Sequence, residues 1–514
     1  MIMKTKYILK GIIATLLLTF FVSSCENYNE ELLDGIGAHS EFSPIGLKAI
    51  IRNQTTVELN WTVSEDADHY VVEFSADDPN FNTIFKTVEA TGAELPLLVP
   101  LEGETLYSIR VKAVSSTGLD DSKWSVTTAQ TLSEQIFFPL QPEDVEGNQA
   151  TFKWPANSNV TQIVITPGDI THEITPQEKI DGMATVTGLT GDTDYTAVLL
   201  NNTKTRGTLT FTTGVDVSTG TLVSPTDDLF QMVANAAPGS ILILEAGDYT
   251  AQTGIISLNK SITIRGLKKY NKPLLKVSFS IKAGTVDVAL WDLDLTGSTP
   301  TVVDVVRYSE AGDYGSLLIR GCNIHNYDRS LVAGNVVAKV VAVTIDNCIV
   351  TNVITNGGDL IDFRATYVGA INVTNSTFNN CAATRDFFRV DAGSLTGTGL
   401  TTNVVLDSCT LYAVSNTATK RILYVRFNAN AIIVRNNLFA DTVAIYSNQS
   451  TTSAPTFLNN NYFNAEGLHT TNPVFDGTTN FTTLNPQFAN TATGDFTLGN
   501  QNLIDNNIGD PRWR

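Results

Sequence analysis

The hexapeptide IRGCNI at 319–324 returns as IDNCIV at 345–350 and LDSCTL at 406–411. With the thiol replaced, it returns again as LWDLDL (290–295), VTNSTF (373–378), VRNNLF (434–439) and LNNNYF (458–463). In each copy apolar residues surround one fourth position: Leu293, Cys322, Cys348, Ser376, Cys409, Asn437 or Asn461. The spacing between copies is loose, as in a solenoid whose coils carry loops of different length. Coils stacked at the ~4.8 Å spacing of paired strands bury like side chains above one another. Asn and Ser in such a column then hydrogen-bond along the stack. The reading is an all-β chain whose residues 215–514 form a parallel β-helix.

Composition agrees. The 514 residues hold 33 Lys+Arg against 52 Asp+Glu, a net charge of −19 that rules out a general nucleic-acid binder and makes any basic site local. Thr, Val, Asn and Gly abound, which favours strands and disfavours long helices.

The first residues are an address. Lys4, Lys6 and Lys10 precede the apolar run GIIATLLLTFF (11–21), which ends in VSSC (22–25). This is the layout of an export signal over 1–24, and the run is short against the ~20 residues a spanning helix needs. VSSC resembles the lipobox of bacterial lipoproteins, which implies lipidation at Cys25, a membrane partner through the acyl chains, and an outer-membrane location. Glu26, Glu30 and Glu31 then resemble the acidic tract of Bacteroidota-type surface lipoproteins. A solvated linker runs over 25–43.

Between the linker and the coils, TTVELNWTV (55–63), HYVVEFSA (69–76) and TLYSIRVKAVSS (105–116) alternate as half-buried antiparallel strands. Trp61 with Leu101, Thr105 and Tyr107 resembles the core tryptophan and tyrosine corner of fibronectin type III sandwiches. Trp154 with Leu189, Thr193 and Tyr195 repeats the pattern, so two tandem sandwiches are expected, over 44–133 and 134–214. A tryptophan inside an alternating strand belongs to the core rather than to a sugar platform.

SPTDDLFQMVANAAPGSILILEAGDYT (224–250) contains one short amphipathic helix, capped by Thr226 or Asp227 and stopped near Pro238 and Gly239. This opening resembles the N-terminal capping helix and first coils of pectate-lyase-like, right-handed parallel β-helices. The ending, GDPRW at 509–513, resembles the terminal seal of exported β-helix proteins. Cys322, Cys348, Cys381 and Cys409 read as buried free thiols. Cys322 and Cys348 stand close enough in register for a bridge, but their side chains run parallel.

A second motif recurs in the coils: VDVVRYS (303–309), LIDFRAT (360–366), FFRVD (387–391) and LYVRFN (423–428). Alternation turns Val306, Phe363, Phe388 and Val425 inward and sets Arg307, Arg364, Arg389 and Arg426 outward as a ladder. Val305, Asp362, Phe387 and Tyr424 precede the arginines by two residues; Ser309, Thr366, Asp391 and Asn428 follow by two. Two readings stay open. Either the arginines balance Asp362, Asp386 and Asp391 in a solvated lattice, or they bind an acidic polysaccharide whose sugars lie on Phe387, Tyr424 or Tyr446.

The pectate-lyase resemblance implies a third possibility, β-elimination on a uronate with calcium as cofactor. Its weak catalytic candidates are Arg364, Arg389, Asp362 and Asp391, while a binding protein needs no cofactor. The ensemble resembles a lipoprotein of a polysaccharide-utilisation system, working beside other glycan-uptake proteins. Binder of a pectin-like acidic polysaccharide, uronate lyase and envelope adhesin are the three functions carried forward. Lipidation is directly checkable: Cys25→Ala should move the protein from the membrane to the soluble fraction on fractionation, and its retention in membranes would refute the anchor.

Overall fold

In this computed structural model the described residues are 39–298, 302–391, 398–427, 430–470 and 472–514. The signal, Cys25, the acidic tract and Asn428 lie outside them. The chain divides into two compact units. One holds residues up to Gln141 with Thr151–Val186 and Asp194–Phe211; the other holds Pro142–Ala150, Thr187–Thr193 and Thr212–Arg514.

The first unit is antiparallel. Strands Ile45–Arg52, Thr56–Thr62 and Leu97–Pro100 form one sheet, and Lys86–Ala90, Ala67–Ala76, Leu106–Ser115 and Ser125–Gln130 form a second. Val57, Leu59, Trp61, Tyr70, Val72 and Tyr107 fill the core between them. The backbone N–H of Glu102 donates to the hydroxyl of Tyr107 at 3.1 Å, closing a tyrosine corner, and burial pushes that phenol up to about 12. Trp154, like Trp61, is buried, so neither indole offers a sugar platform.

The second unit is a parallel solenoid with three sheets running along it, of ten, seven and eight strands. Each central coil contributes one strand to each sheet, paired only to the coil before and after it. Helix α1 (Leu229–Asn235) buries Leu229 and Val233 in the solenoid core. Its cap is Asp228, which accepts from the N–H of Gln231 at 2.9 Å. Asp227 is unavailable for that role because its carboxylate accepts from the N–H of Ser224 at 2.7 Å.

The corner between the first and third sheets explains the hexapeptide. Asp292, Gly321, Asn347, Asn375, Ser408, Asn436 and Asn459 occupy it with φ between 49° and 64°, a left-handed conformation that Gly and Asn tolerate best. The next residue turns inward. Leu293, Cys322, Cys348, Ser376, Cys409 and Asn437 stack there, all buried. The last member is Asn460, not Asn461, because Val434 pairs with Phe457 and sets the final coil one residue earlier. Asn437 Oδ1 accepts from the N–H of Cys409 and Asn460 Oδ1 from the N–H of Asn437, each at 3.0 Å. Asn437 Nδ2 donates to the carbonyl of Leu406 at 2.9 Å.

The four described cysteines are free and buried, and burial raises the thiols of Cys322, Cys381 and Cys409, that of Cys381 to about 12. The C-terminal residues do not lie over the last coil as a seal. They run back along the outside of the third sheet, where Asp510 accepts from Thr377 Oγ1 at 2.7 Å and Trp513 Nε1 donates to the same hydroxyl at 2.7 Å.

Replacing Asn437 by Leu strands the Cys409 N–H and the Leu406 carbonyl in the core, at roughly 1–3 kcal/mol for each buried group. The expected result is a larger fall in unfolding midpoint than Cys348→Ala produces. An Asn437→Leu protein as stable as the parent would show that the column is not held by these bonds.

Candidate functional site on the second solenoid sheet

Five short strands of this sheet set the frame for the outward arginines, which lie in or just beyond four of them: β1 (Val306–Tyr308), β2 (Val332–Gly334), β3 (Ile361–Phe363), β4 (Phe388–Val390) and β5 (Leu423–Val425). Their inward residues set the register, with Val306, Val332, Ile361, Phe388 and Leu423 stacked in turn. The middle outward column therefore reads Arg307, Ala333, Asp362, Arg389 and Tyr424. Two residues further along each strand, the same register brings Ser309, Asn335, Arg364, Asp391 and Arg426 together.

This corrects the expected ladder. Parity holds, since Val306, Phe363, Phe388 and Val425 are buried and all four arginines face out. Arg364 and Arg426, however, stand two residues off Arg307 and Arg389. The coil at β2 brings no arginine to either column. Aspartate alternates with arginine both along the strand and up the stack, and this arrangement removes like-charge repulsion.

Five arginines pair with five aspartates. Asp304 accepts from Arg329 Nη2 and Arg307 Nε, both at 2.6 Å. Arg364 Nε donates to Asp362 at 2.9 Å, and its Nη2 reaches Asp359 at 3.2 Å. Arg389 Nη2 bonds Asp391 at 3.0 Å and its Nη1 lies 3.5 Å from Asp359. Arg421 grips Asp386 in a fork of 3.0 and 2.7 Å. The aspartate side chains are 2–10% exposed and the arginines 18–33%. Asp304, Arg329 and Arg421 were not singled out from the sequence, although Arg421 opens the strand segment RILYVR.

Tyr424 stands among guanidinium groups. The Cζ of Arg421 lies 3.9 Å from its ring centre, that of Arg389 5.3 Å and that of Arg426 5.8 Å. Arg426 is exposed, touches the Tyr424 hydroxyl at 3.5 Å and forms no ion pair among the described residues. The other two expected platforms fail. Phe387 is wholly buried, 4.8 Å from the rings of both Phe378 and Phe388, because the chain turns a corner before β4 and breaks the alternation. Tyr446 is wholly buried too, with its hydroxyl 3.0 Å from that of Tyr462. Val305 and Thr366 are likewise buried.

The charges tune one another. Burial pushes the Asp304 carboxyl up, but Arg329 and Arg307 outweigh it and hold the group below its ordinary value. Asp362 goes the other way: burial raises it and Arg364 only partly offsets that. Burial lowers Arg389, yet Asp391, Asp359 and Asp362 outweigh it and leave the guanidinium above its ordinary value, a poor group for taking a proton. The donor set does not fit calcium either. The carboxylates of the cluster are held by guanidinium groups, and among the described residues no three His, Cys, Asp or Glu are grouped to hold a metal ion.

The class these features define is a parallel β-solenoid with an arginine–aspartate face. Residues 247–381 match the family model described as a domain of unknown function, DUF4957, and residues 404–513 match a second, DUF5123. β1 to β3 fall in the first match and β5 in the second. No curated protein matches the chain. Among solved structures it is similar to a two-domain fibronectin type III segment of chicken tenascin, at 17% identity and a TM-score of 0.22, over 33% of this chain and 97% of that one. It is also similar to the FN1–FN3 domains of chicken CNTN1, at 16% identity and a TM-score of 0.16, over 34% and 68%.

Asp304 makes the lattice pH-sensitive. A carboxyl held below its unfolded value of about 3.9 stabilises the fold above that value, and the contribution disappears as pH falls through the lowered folded value. Asp304→Asn should cost roughly 2 kcal/mol at neutral pH. The gap to the parent should close on acidification from about pH 5 toward pH 2, as followed by urea unfolding at each pH. A gap independent of pH would refute the assignment.

Proposed function

We propose that this is a lipid-anchored, cell-surface protein of a glycan-uptake system that holds an acidic, uronate-bearing polysaccharide on the outer face of the second solenoid sheet. The observation that carries the reading is Tyr424, framed by Arg389 and Arg421, with exposed Arg426 left without a carboxylate partner among the described residues. An aromatic face beside a free guanidinium suits a sugar ring bearing a carboxylate. The resemblance of the segment VSSC (22–25) to a lipobox supports the anchor, and two sandwiches separate it from the solenoid along the chain.

Binding without turnover suits the site better than β-elimination does, because its arginines are locked to aspartates. The pairing of five arginines with five aspartates also favours a second reading, an envelope adhesin whose lattice only stiffens the coils.

The test is retention of the purified protein on polygalacturonate, alginate and neutral glycans, with and without calcium. Retention on an acidic polymer without new unsaturated ends is expected, weakening as salt rises. Tyr424→Ala and Arg426→Ala should each weaken it, Arg426→Ala by about 1.5–3 kcal/mol for a lost charged contact. Unsaturated ends would restore the lyase, and no retention on any acidic polymer would leave the adhesin.

A further inference from the structure

The register on this face decides how an acidic glycan could lie. A polyuronate threading the stack with one carboxylate per coil needs one cation per coil in a single column. Neither outward column supplies it. The middle column meets Ala333 and then Asp362 in successive coils, and the next column meets Ser309 and Asn335 before Arg364, with Asp391 beyond. The arginines of the early coils, Arg307 and Arg329, both spend their charge on Asp304.

Among the described residues of this face, cations without a carboxylate partner are confined to the last two of the five coils. Carrying the pairing of Phe388 with Leu423 back three residues aligns Arg385 with Lys420 at the corner before β4 and β5. Both are half-buried, and neither forms an ion pair among the described residues. The corresponding position before β3 is Gly358, where a Cβ would come within 2.7 Å of Arg329 Cγ. Lys420 and Arg385 therefore stand at one end of these strands and Arg426 at the other, with Tyr424 between them. In a chain of net charge −19 these three cations form a local attractor for acid groups.

We infer that the site takes a short acidic oligosaccharide stretch lying along the strand direction of β4 and β5, across the solenoid, with Arg385, Lys420 and Arg426 as its charged contacts. This rests on the acidic-glycan reading above and specifies the ligand: a chain end or branch with two or three neighbouring acid groups, not a long polyuronate tracked over many coils. Two arguments support the direction. Successive outward residues along a strand are separated by ~6.6 Å, so Arg426 stands one such step beyond Tyr424, while Lys420 lies four residues before it, about 13 Å along an extended chain, on the other side of the ring. Up the stack from these coils toward β1, by contrast, steps of ~4.8 Å reach the Arg364–Asp362 pair, then uncharged Ala333, then Arg307 paired to Asp304.

Size dependence tests it. Calorimetric titration of the purified protein with galacturonate oligomers of increasing length should give an affinity per chain that levels off at the trimer. Arg385→Gln and Lys420→Gln should each weaken trimer binding about tenfold, the loss of one charged contact. Val303→Gln, on the outside of the β1 coil and remote from β5, should leave it unchanged. Affinity that keeps climbing well beyond the trimer, or trimer binding indifferent to both Arg385→Gln and Lys420→Gln, would overturn the across-strand site while leaving acidic-glycan binding intact. If no oligomer of any length binds, the acidic-glycan reading itself falls. Circular dichroism of each variant separates a lost contact from a lost fold.

Discussion

The constraint on which the solenoid depends is the in-register stacking of parallel strands. Each coil pairs only with its two neighbours, so a coil is placed by what it puts inside rather than by what it shows outside. Val306, Val332, Ile361, Phe388 and Leu423 stack in one column, and the thiols and amides from Cys322 to Asn460 stack in another. Left-handed residues at one corner keep the chain turning at the same place in every coil. Once those columns are aligned, the neighbours of every outward side chain are determined. The alternation of arginine and aspartate is a consequence of that alignment.

Much of this fold was legible because the inward column is chemically distinctive. A thiol or small polar residue between aliphatic ones recurs in IRGCNI and IDNCIV, and in most coils Asn or Gly precedes it where the backbone enters the left-handed region. Where the chemistry is degenerate the reading slipped. Asn459, Asn460 and Asn461 are three identical residues, and only the pairing of Val434 with Phe457 shows which one points inward. The outward face was harder. Arginine is conspicuous in an acidic chain, so aligning the segments on arginine produced a ladder, but an exposed residue does not set register. Arg364 belongs one column away from Arg389 for that reason. Strict alternation carried past the three-residue strands fails at the corners, where consecutive residues such as Phe387 and Phe388 are both buried, and Tyr446, for which no register argument existed, is buried as well.

The face is costly to build and hard to dismantle. Nearly buried aspartates bear a desolvation penalty that only well-placed guanidinium groups offset, and removing one partner leaves a charge stranded. Asp359 shows the coupling: it accepts from both Arg364 and Arg389 and from the N–H of Asp386, tying β3 to β4 through side chains as well as through the sheet. Such bonds add little net stability over an apolar alternative, but a coil out of register by one residue would face them with the wrong charge. The lattice thus acts against slippage, to which repeated short strands of similar composition are prone.

That rigidity also bears on recognition. A flexible arginine loses side-chain entropy when it grips a ligand, and the loss subtracts from affinity. Arg421 is already held by its fork to Asp386, and Arg389 by Asp391, so the two guanidinium groups beside Tyr424 are ordered before anything binds. The neighbouring carboxylates hold the Arg389 guanidinium above its ordinary value and leave it a poor group for taking a proton from carbon. Carboxylates that order arginines in advance of any ligand therefore also tune their charge, and on this solenoid the outward aspartates, more than the fold itself, set what those arginines can do.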